Sequence, residues 1–273
     1  MRTWLTPAAR RRWLRWLRWW RGAPRAVRVS GWLMLAALGG LALNSLYQVV
    51  RKPTELFFPV SGVLFKTPPE TWHEYSAAFR RYATPSITPE LLAALAQVEG
   101  SGNPLARTYW RWSWSLKPFE FYRPASSAVG MYQITDGTFA EARHYCIRDH
   151  ALVREGSWSD WHGCWFNDAY LRVVPADAVE LTAAYLELKV GAILAHLPLH
   201  PISALERQQL AALVHLCGAG AAASYVQRGF RFSARERCGD HDPREYLRRV
   251  DAMCEVFARL AAHETAEAGA QAQ

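Results

Sequence analysis

Leu91-Leu92-Ala93-Ala94-Leu95-Ala96-Gln97-Val98-Glu99-Gly100-Ser101-Gly102-Asn103-Pro104 begins as a helix and ends as a turn. Thr88-Pro89-Glu90 precedes it, a strong helix start: a hydroxyl N-cap, proline at the first helical position, then an acid near the positive helix end. Leu91, Leu95 and Glu99 fall at i, i+4 and i+8, and Leu92 joins the same face. Gly100 and Gly102 supply the stop. A carboxyl at the end of an apolar helical face is costly to ionise, and a reluctant carboxyl is a good proton donor.

A second informative segment, Ser126-Ser127-Ala128-Val129-Gly130-Met131-Tyr132-Gln133-Ile134, contains no Asp or Glu. The rest of the chain after residue 84 reads as one mainly α domain with a small irregular or β lobe. Helices are predicted at 71–83, 89–99, 136–148, 177–197, 206–217, 220–228 and 243–262, and a short hairpin or irregular lobe within 105–134. The prolines of 51–84 mark a linker and lead-in, the domain proper covers 85–263, and 264–273 reads as a disordered tail.

Charge is unevenly spread. The chain of 273 residues has net charge +8, but residues 1–54 hold no acid and carry +11, which leaves −3 for the remainder. The overall pI of 9.4 is therefore no argument for a nucleic-acid partner. The basic excess precedes an apolar stretch, 31–50, whose twenty residues reach roughly 30 Å as a helix, enough for a bilayer core. Arg before the span predicts 1–30 in the cytoplasm and the bulk outside, hence a single-pass inner-membrane protein with a periplasmic domain. No Ala-x-Ala site follows the apolar core, which favours an uncleaved signal anchor over a cleaved signal peptide. Trp13, Trp16, Leu17 and Trp20 alternate with Arg11, Arg15 and Arg18 at helical spacing. That pattern suits a helix lying on anionic lipid.

The five cysteines all follow the span. Outside the cytoplasm they are free to pair, and the expected pairs are Cys146–Cys164 and Cys217–Cys238. Cys254 would remain as a core thiol in a helix where Tyr246, Val250, Met253, Phe257 and Leu260 recur. His144-x-Cys146 and His162-x-Cys164 offer a rival zinc set, but the spacing within each pair is short and an oxidising compartment would take the thiols. No metal or cofactor is expected.

The segment Leu91–Pro104, followed by Ser127–Ile134, resembles the SLT-type lytic transglycosylases, relatives of goose-type lysozyme. That family shows a helix ending in Gln-x-Glu-Ser-x-x-Asn-Pro, then Gly-Leu-Met-Gln-Ile/Val, then Tyr-Asn-Ala-Gly-x-Gly. The likeness covers roughly 85–232. It implies a lysozyme-like fold and cleavage of the β-1,4 bond between N-acetylmuramic acid and N-acetylglucosamine in peptidoglycan. It implies Glu99 as the single general acid and base, closing a 1,6-anhydro ring. It places Ser101, Gly130, Met131, Tyr132, Gln133, Ile134 and His215 around the substrate. The partners implied are glycan strands and the membrane, with room for cell-wall or secretion assembly proteins.

Three departures stand out. Gly100 occupies the family's serine position, with Ser101 one place later; Tyr132 replaces methionine; and His215-Leu216-Cys217-Gly218-Ala219-Gly220 stands for the third motif. His215 thus takes the place of the tyrosine that usually packs near the glutamate, within reach of Glu99 or as a core histidine. The aromatic insert Thr108–Tyr122 suits either sugar stacking or packing of a lobe, and Arg111 suits peptide carboxylates. Two other readings remain. One is a lysozyme-type hydrolase using Asp136 to hold a water. The other is an inactive peptidoglycan-binding or assembly protein.

Overall fold

The computed structural model describes residues 7–115, 117–156, 163, 164, 166–196 and 202–271. Two N-terminal helices, α1 (Pro7–Gly22) and α2 (Arg25–Arg51), come first. After a 3₁₀ turn at Pro53–Phe57 follow α3 (Phe58–Ser61), α4 (Pro68–Tyr82) and α5 (Pro89–Gly100). A hairpin of β1 (Trp110–Trp112) and β2 (Tyr122–Pro124) precedes α6 (Asp136–Ala142). A second hairpin joins β3 (Tyr145–Arg148) to β4 (Ala151–Arg154), and α7 (Pro175–Leu194), α8 (Ala204–Gln227) and α9 (Pro243–Gln271) complete the order.

These elements make two compact units: α1, α2 and the β1–β2 hairpin in one, the remaining helices and the β3–β4 hairpin in the other. In the larger unit α5 is the central rod. Leu91, Leu92, Ala93, Ala94, Leu95 and Ala96 are all fully buried, so the helix is apolar on every side, as a core helix must be. It is packed by α4, α7, α8 and α9. Each fully buried leucine contributes roughly 2–3 kcal/mol, and the alanines let neighbouring helices approach closely. Thr88 caps the helix as its sequence predicts, accepting from the Leu91 N–H at 3.2 Å.

Residues 54–84 are part of this unit rather than a linker. Pro68 and Pro69 open α4 instead of breaking the chain, because Thr67 and Glu70 form a capping box. The Thr67 N–H donates to the Glu70 carboxylate at 2.7 Å, which holds that carboxyl below its usual range. Trp72, Tyr75 and Phe79 of α4 then enter the core.

The helix expected over 136–148 ends at Ala142 instead. Tyr145–Arg148 pairs antiparallel with Ala151–Arg154 through a two-residue turn, Asp149 and His150, both at positive φ. This hairpin is tied down by the Cys146–Cys164 disulfide and by the buried Glu180 of α7, which accepts from the Ile147 N–H at 3.0 Å and the Tyr170 hydroxyl at 2.6 Å. The disulfide also removes both thiols from the zinc set; His162 and most of the segment 157–165 lie outside the described residues.

Cys217 and Cys238 are also bonded, and Cys254 is a buried free thiol pushed up to about 12 by desolvation. α8 is broken at Gly218, between the two helices expected there. The disordered tail expected from residue 264 is replaced by the continuation of α9 to Gln271. Glu264 accepts from the Trp72 indole at 2.9 Å and pairs with Arg80, which carries the helix past its predicted end.

In the smaller unit, α2 is long and apolar enough to cross a membrane. Its Trp32, Leu33, Met34, Leu35, Leu38 and Leu43 are exposed. α8 meets the same test of length and composition but is a core helix, with Leu210, Ala211, Ala212, Leu213 and Val214 buried. Trp20 of α1 packs edge-on against Trp32 of α2, with centroids 6.4 Å apart.

Candidate active site

Glu99 occupies the last turn of α5, one residue before the helix ends. Gly100 explains the missing serine. A Cβ there would come within 2.8 Å of the Met131 Cα and carbonyl oxygen, so only glycine lets the second motif lie directly against the end of the helix. Ser101 takes the C-cap in left-handed conformation, its N–H bonded to the Gln97 carbonyl at 2.9 Å. The turn is then clamped. Gln97 accepts from Thr71 at 2.7 Å and donates to the Lys66 carbonyl at 2.9 Å. Asn103, fully buried, donates to the Ser61 carbonyl and accepts from the Leu105 N–H.

The second motif forms a tight loop beside it. The Gly130 N–H donates to the Ala106 carbonyl at 2.8 Å, and Val129 pairs with both Arg107 and Ile134. Gly130 has φ +79°, and a Cβ on it would lie 2.3 Å from the Arg172 carbonyl oxygen. Arg172 closes the loop from outside, donating to the carbonyls of Ser127 at 3.1 Å and Ile134 at 2.8 Å. Gln133 is held at φ 48°, uncommon for a residue other than glycine. Its Nε2 donates to the carbonyls of Gly130 at 2.9 Å and Ala106 at 3.2 Å. Among the described residues its Oε1 has no partner.

Glu99 and Gln133 line one cavity of about 410 Å³, together with Ser101, Arg107 and the exposed Tyr109. Among the described residues Glu99 is the only carboxylate lining it. Its side chain is 19% exposed. The Tyr246 hydroxyl of α9 donates to Glu99 Oε1 at 2.6 Å. Burial, and then the Glu99 charge beside it, drive the Tyr246 phenol well above its ordinary range, so it stays protonated and remains a donor. His215 Nε2 stands 3.8 Å from the same oxygen, beyond hydrogen-bond distance. Oε2 has no partner among the described residues.

No protein-family model and no curated protein matches this chain.

The expected site residues thus separate. Glu99, Ser101 and Gln133 share the cavity. His215 lines a smaller hollow of about 140 Å³ that Gln133 also lines, with Thr182 and Tyr185. The side chains of Met131 and Tyr132 are fully buried and Ile134 nearly so, which leaves only their backbone for a ligand; Gly130 is a packing position against Arg172. Of the aromatic insert, Tyr109 lines the cavity. Asp136 is paired with Arg172 at 2.8 Å and is absent from the cavity wall.

Two contributors were not foreseen. Tyr246 read as one more apolar-stripe residue of the last helix, and Arg172 carried no motif. The excess length of a phenol on that stripe was the one available signal.

Proposed function

We propose that this chain is a membrane-anchored lytic transglycosylase that cuts the glycan strands of peptidoglycan. The observation that carries the reading is a carboxylate that, among the described residues, is the only one lining its cavity, with one oxygen held by a neutral phenol and the other without a partner there, beside an amide whose oxygen likewise has none among those residues. Because Tyr246 always donates to Oε1, the proton that Glu99 exchanges resides on Oε2. Glu99 donates that proton to the glycosidic oxygen as the C1–O bond breaks. The resulting carboxylate then takes the proton of the muramoyl C6 hydroxyl, and O6 bonds to C1. Glu99 regains in this step the proton it gave in the first, and no water is consumed. The Gln133 Oε1 suits the N–H of a sugar acetamido group, and Tyr109 suits a sugar face.

A two-carboxylate hydrolase needs a second acid placed to act on water. Asp136, the candidate for that role, is engaged by Arg172 and lies outside the cavity wall, which favours the single-carboxylate route. The apolar, unburied α2, the Arg-rich segment before it and two disulfides after it fit an inner-membrane anchor with the larger unit in the periplasm.

The test uses the full chain in detergent with purified peptidoglycan and mass spectrometry of the released fragments. Products about 18 Da lighter than those of a hydrolase are expected, since ring closure replaces water addition. Free reducing ends would establish the lysozyme alternative. Tyr246→Phe removes one oxygen from the site. It is expected to lower kcat by roughly 10²-fold with KM little changed, because the phenol acts on Glu99 and not on bound substrate.

A further inference from the structure

We propose that the β1–β2 hairpin lies in the outer headgroup layer of the bilayer and holds the emerging end of α2 there; this rests on the reading that α2 spans the membrane. Asn44, Gln48 and Arg51 recur at i, i+4 and i+7, so they share one face of the last two turns of α2. Polar groups at that level of a span are costly unless partnered. The hairpin partners their donor groups, while the Asn44 Oδ1 is buried without a hydrogen-bond partner among the described residues. Asn44 Nδ2 donates to the Tyr122 carbonyl, Gln48 Nε2 donates to the Phe119 carbonyl at 2.7 Å, and Arg51 pairs with Glu120 at 3.2 Å. Tyr47 adds a ring contact to Phe119, centroids 5.7 Å apart. Asn44 and Gln48 are buried although the apolar side chains around them are exposed, the reverse of a water-soluble helix.

From Asn44 to Arg51 the helix rises roughly 10 Å, so these bonds fix the hairpin at one depth, beside the end of the span. What the hairpin then leaves uncovered is aromatic. Trp112 is 68% exposed and Trp114 fully exposed, with Phe119 partly so, and Leu46 and Val50 in the last turns of α2 are exposed as well. Arg111 and Lys117 are exposed cations on the same hairpin. Indole rings with basic side chains, level with the end of an apolar helix, have the composition of the membrane–water interface. Sugar stacking, the other use of exposed indoles, gives no reason for the hairpin to be bonded to the span.

The experiment places an environment-sensitive fluorophore on a cysteine at residue 117 (Lys117→Cys) in a Cys254→Ala background, with both disulfides intact. Neither change touches the aromatic side chains, and Arg111→Cys serves as a second site should the first not fold. Leu38→Cys reports on the span itself. The full chain is placed in phosphatidylethanolamine–phosphatidylglycerol vesicles carrying nitroxide at the headgroup or deep in the acyl chain. Headgroup nitroxide is expected to quench the residue-117 probe about twofold or more over deep nitroxide, with the order reversed at residue 38. Replacing Trp112 and Trp114 with Ser should weaken the quenching at 117, the bonds to α2 still holding the hairpin at its depth, and leave that at 38 unchanged. A water-exposed probe at 117 with a lipid-quenched probe at 38 would overturn the hairpin proposal and keep the span. A water-exposed probe at 38 would overturn the span and the proposal with it. Shielding of the 117 probe by soluble peptidoglycan fragments, without lipid quenching, would assign the indoles to glycan instead.

Discussion

Glu99→Gln is expected to abolish glycan cleavage, by roughly 10³-fold or more, while leaving the protein folded. The amide keeps an oxygen to accept from Tyr246 and matches the carboxylate in shape, so the α5–α9 contact survives. What it loses is an exchangeable acidic proton, and the cavity offers no other carboxylate among the described residues. Release of soluble fragments from purified peptidoglycan measures the activity, and an unchanged thermal transition establishes the fold. Release that persists in the variant would remove Glu99 from the chemistry. A wild-type protein that binds the polymer without releasing anything would assign the chain to binding or assembly.

The second large effect is on stability. Gly130→Ala places a methyl group 2.3 Å from the Arg172 carbonyl and 3.3 Å from that of Pro104, at a φ of +79° that alanine adopts only with strain. Both obstacles are main-chain atoms, so neither can swing aside. A loss of about 3 kcal/mol or more is expected, read as a fall in Tm of roughly 6–12 °C for a unit of this size. Because Gln133 is held through the Gly130 carbonyl, the surviving folded fraction should also cleave poorly. A variant that melts normally would mean that the loop can relax away from Arg172.

How much of this was legible follows from the range of each interaction. The span of α5, its Thr88 cap and its stop are local, so a short window contained them, and Glu99 came with them. The two disulfide pairs also agreed with the sequence reading. The β3–β4 hairpin did not. Its strands gain stability from Glu180 and Cys164, far along the chain, while the local pattern of 136–148 suited a helix. The prolines at 68 and 69 looked like punctuation because proline starts helices as readily as it ends them, and only the capping bond at Glu70 decides. Tyr246 was hidden for the opposite reason. Its place on an apolar stripe was visible, but a stripe says that a residue is buried and not what its hydroxyl meets 147 residues away. His215, placed by the resemblance near the glutamate, stands 3.8 Å from Glu99 Oε1, within ion-pair distance, while the hydrogen bond to that oxygen comes from Tyr246 of α9.

That arrangement has a bearing on the order in which the candidate site is completed during synthesis. The sequence that looks catalytic emerges from the ribosome early, at residue 99, but the phenol that steadies it is not synthesised until residue 246. A chain that stops before α9 carries Glu99 without the hydroxyl that Tyr246 supplies. The hydrogen bond between the two can therefore close only once the last helix has been made, an order imposed by the polypeptide itself.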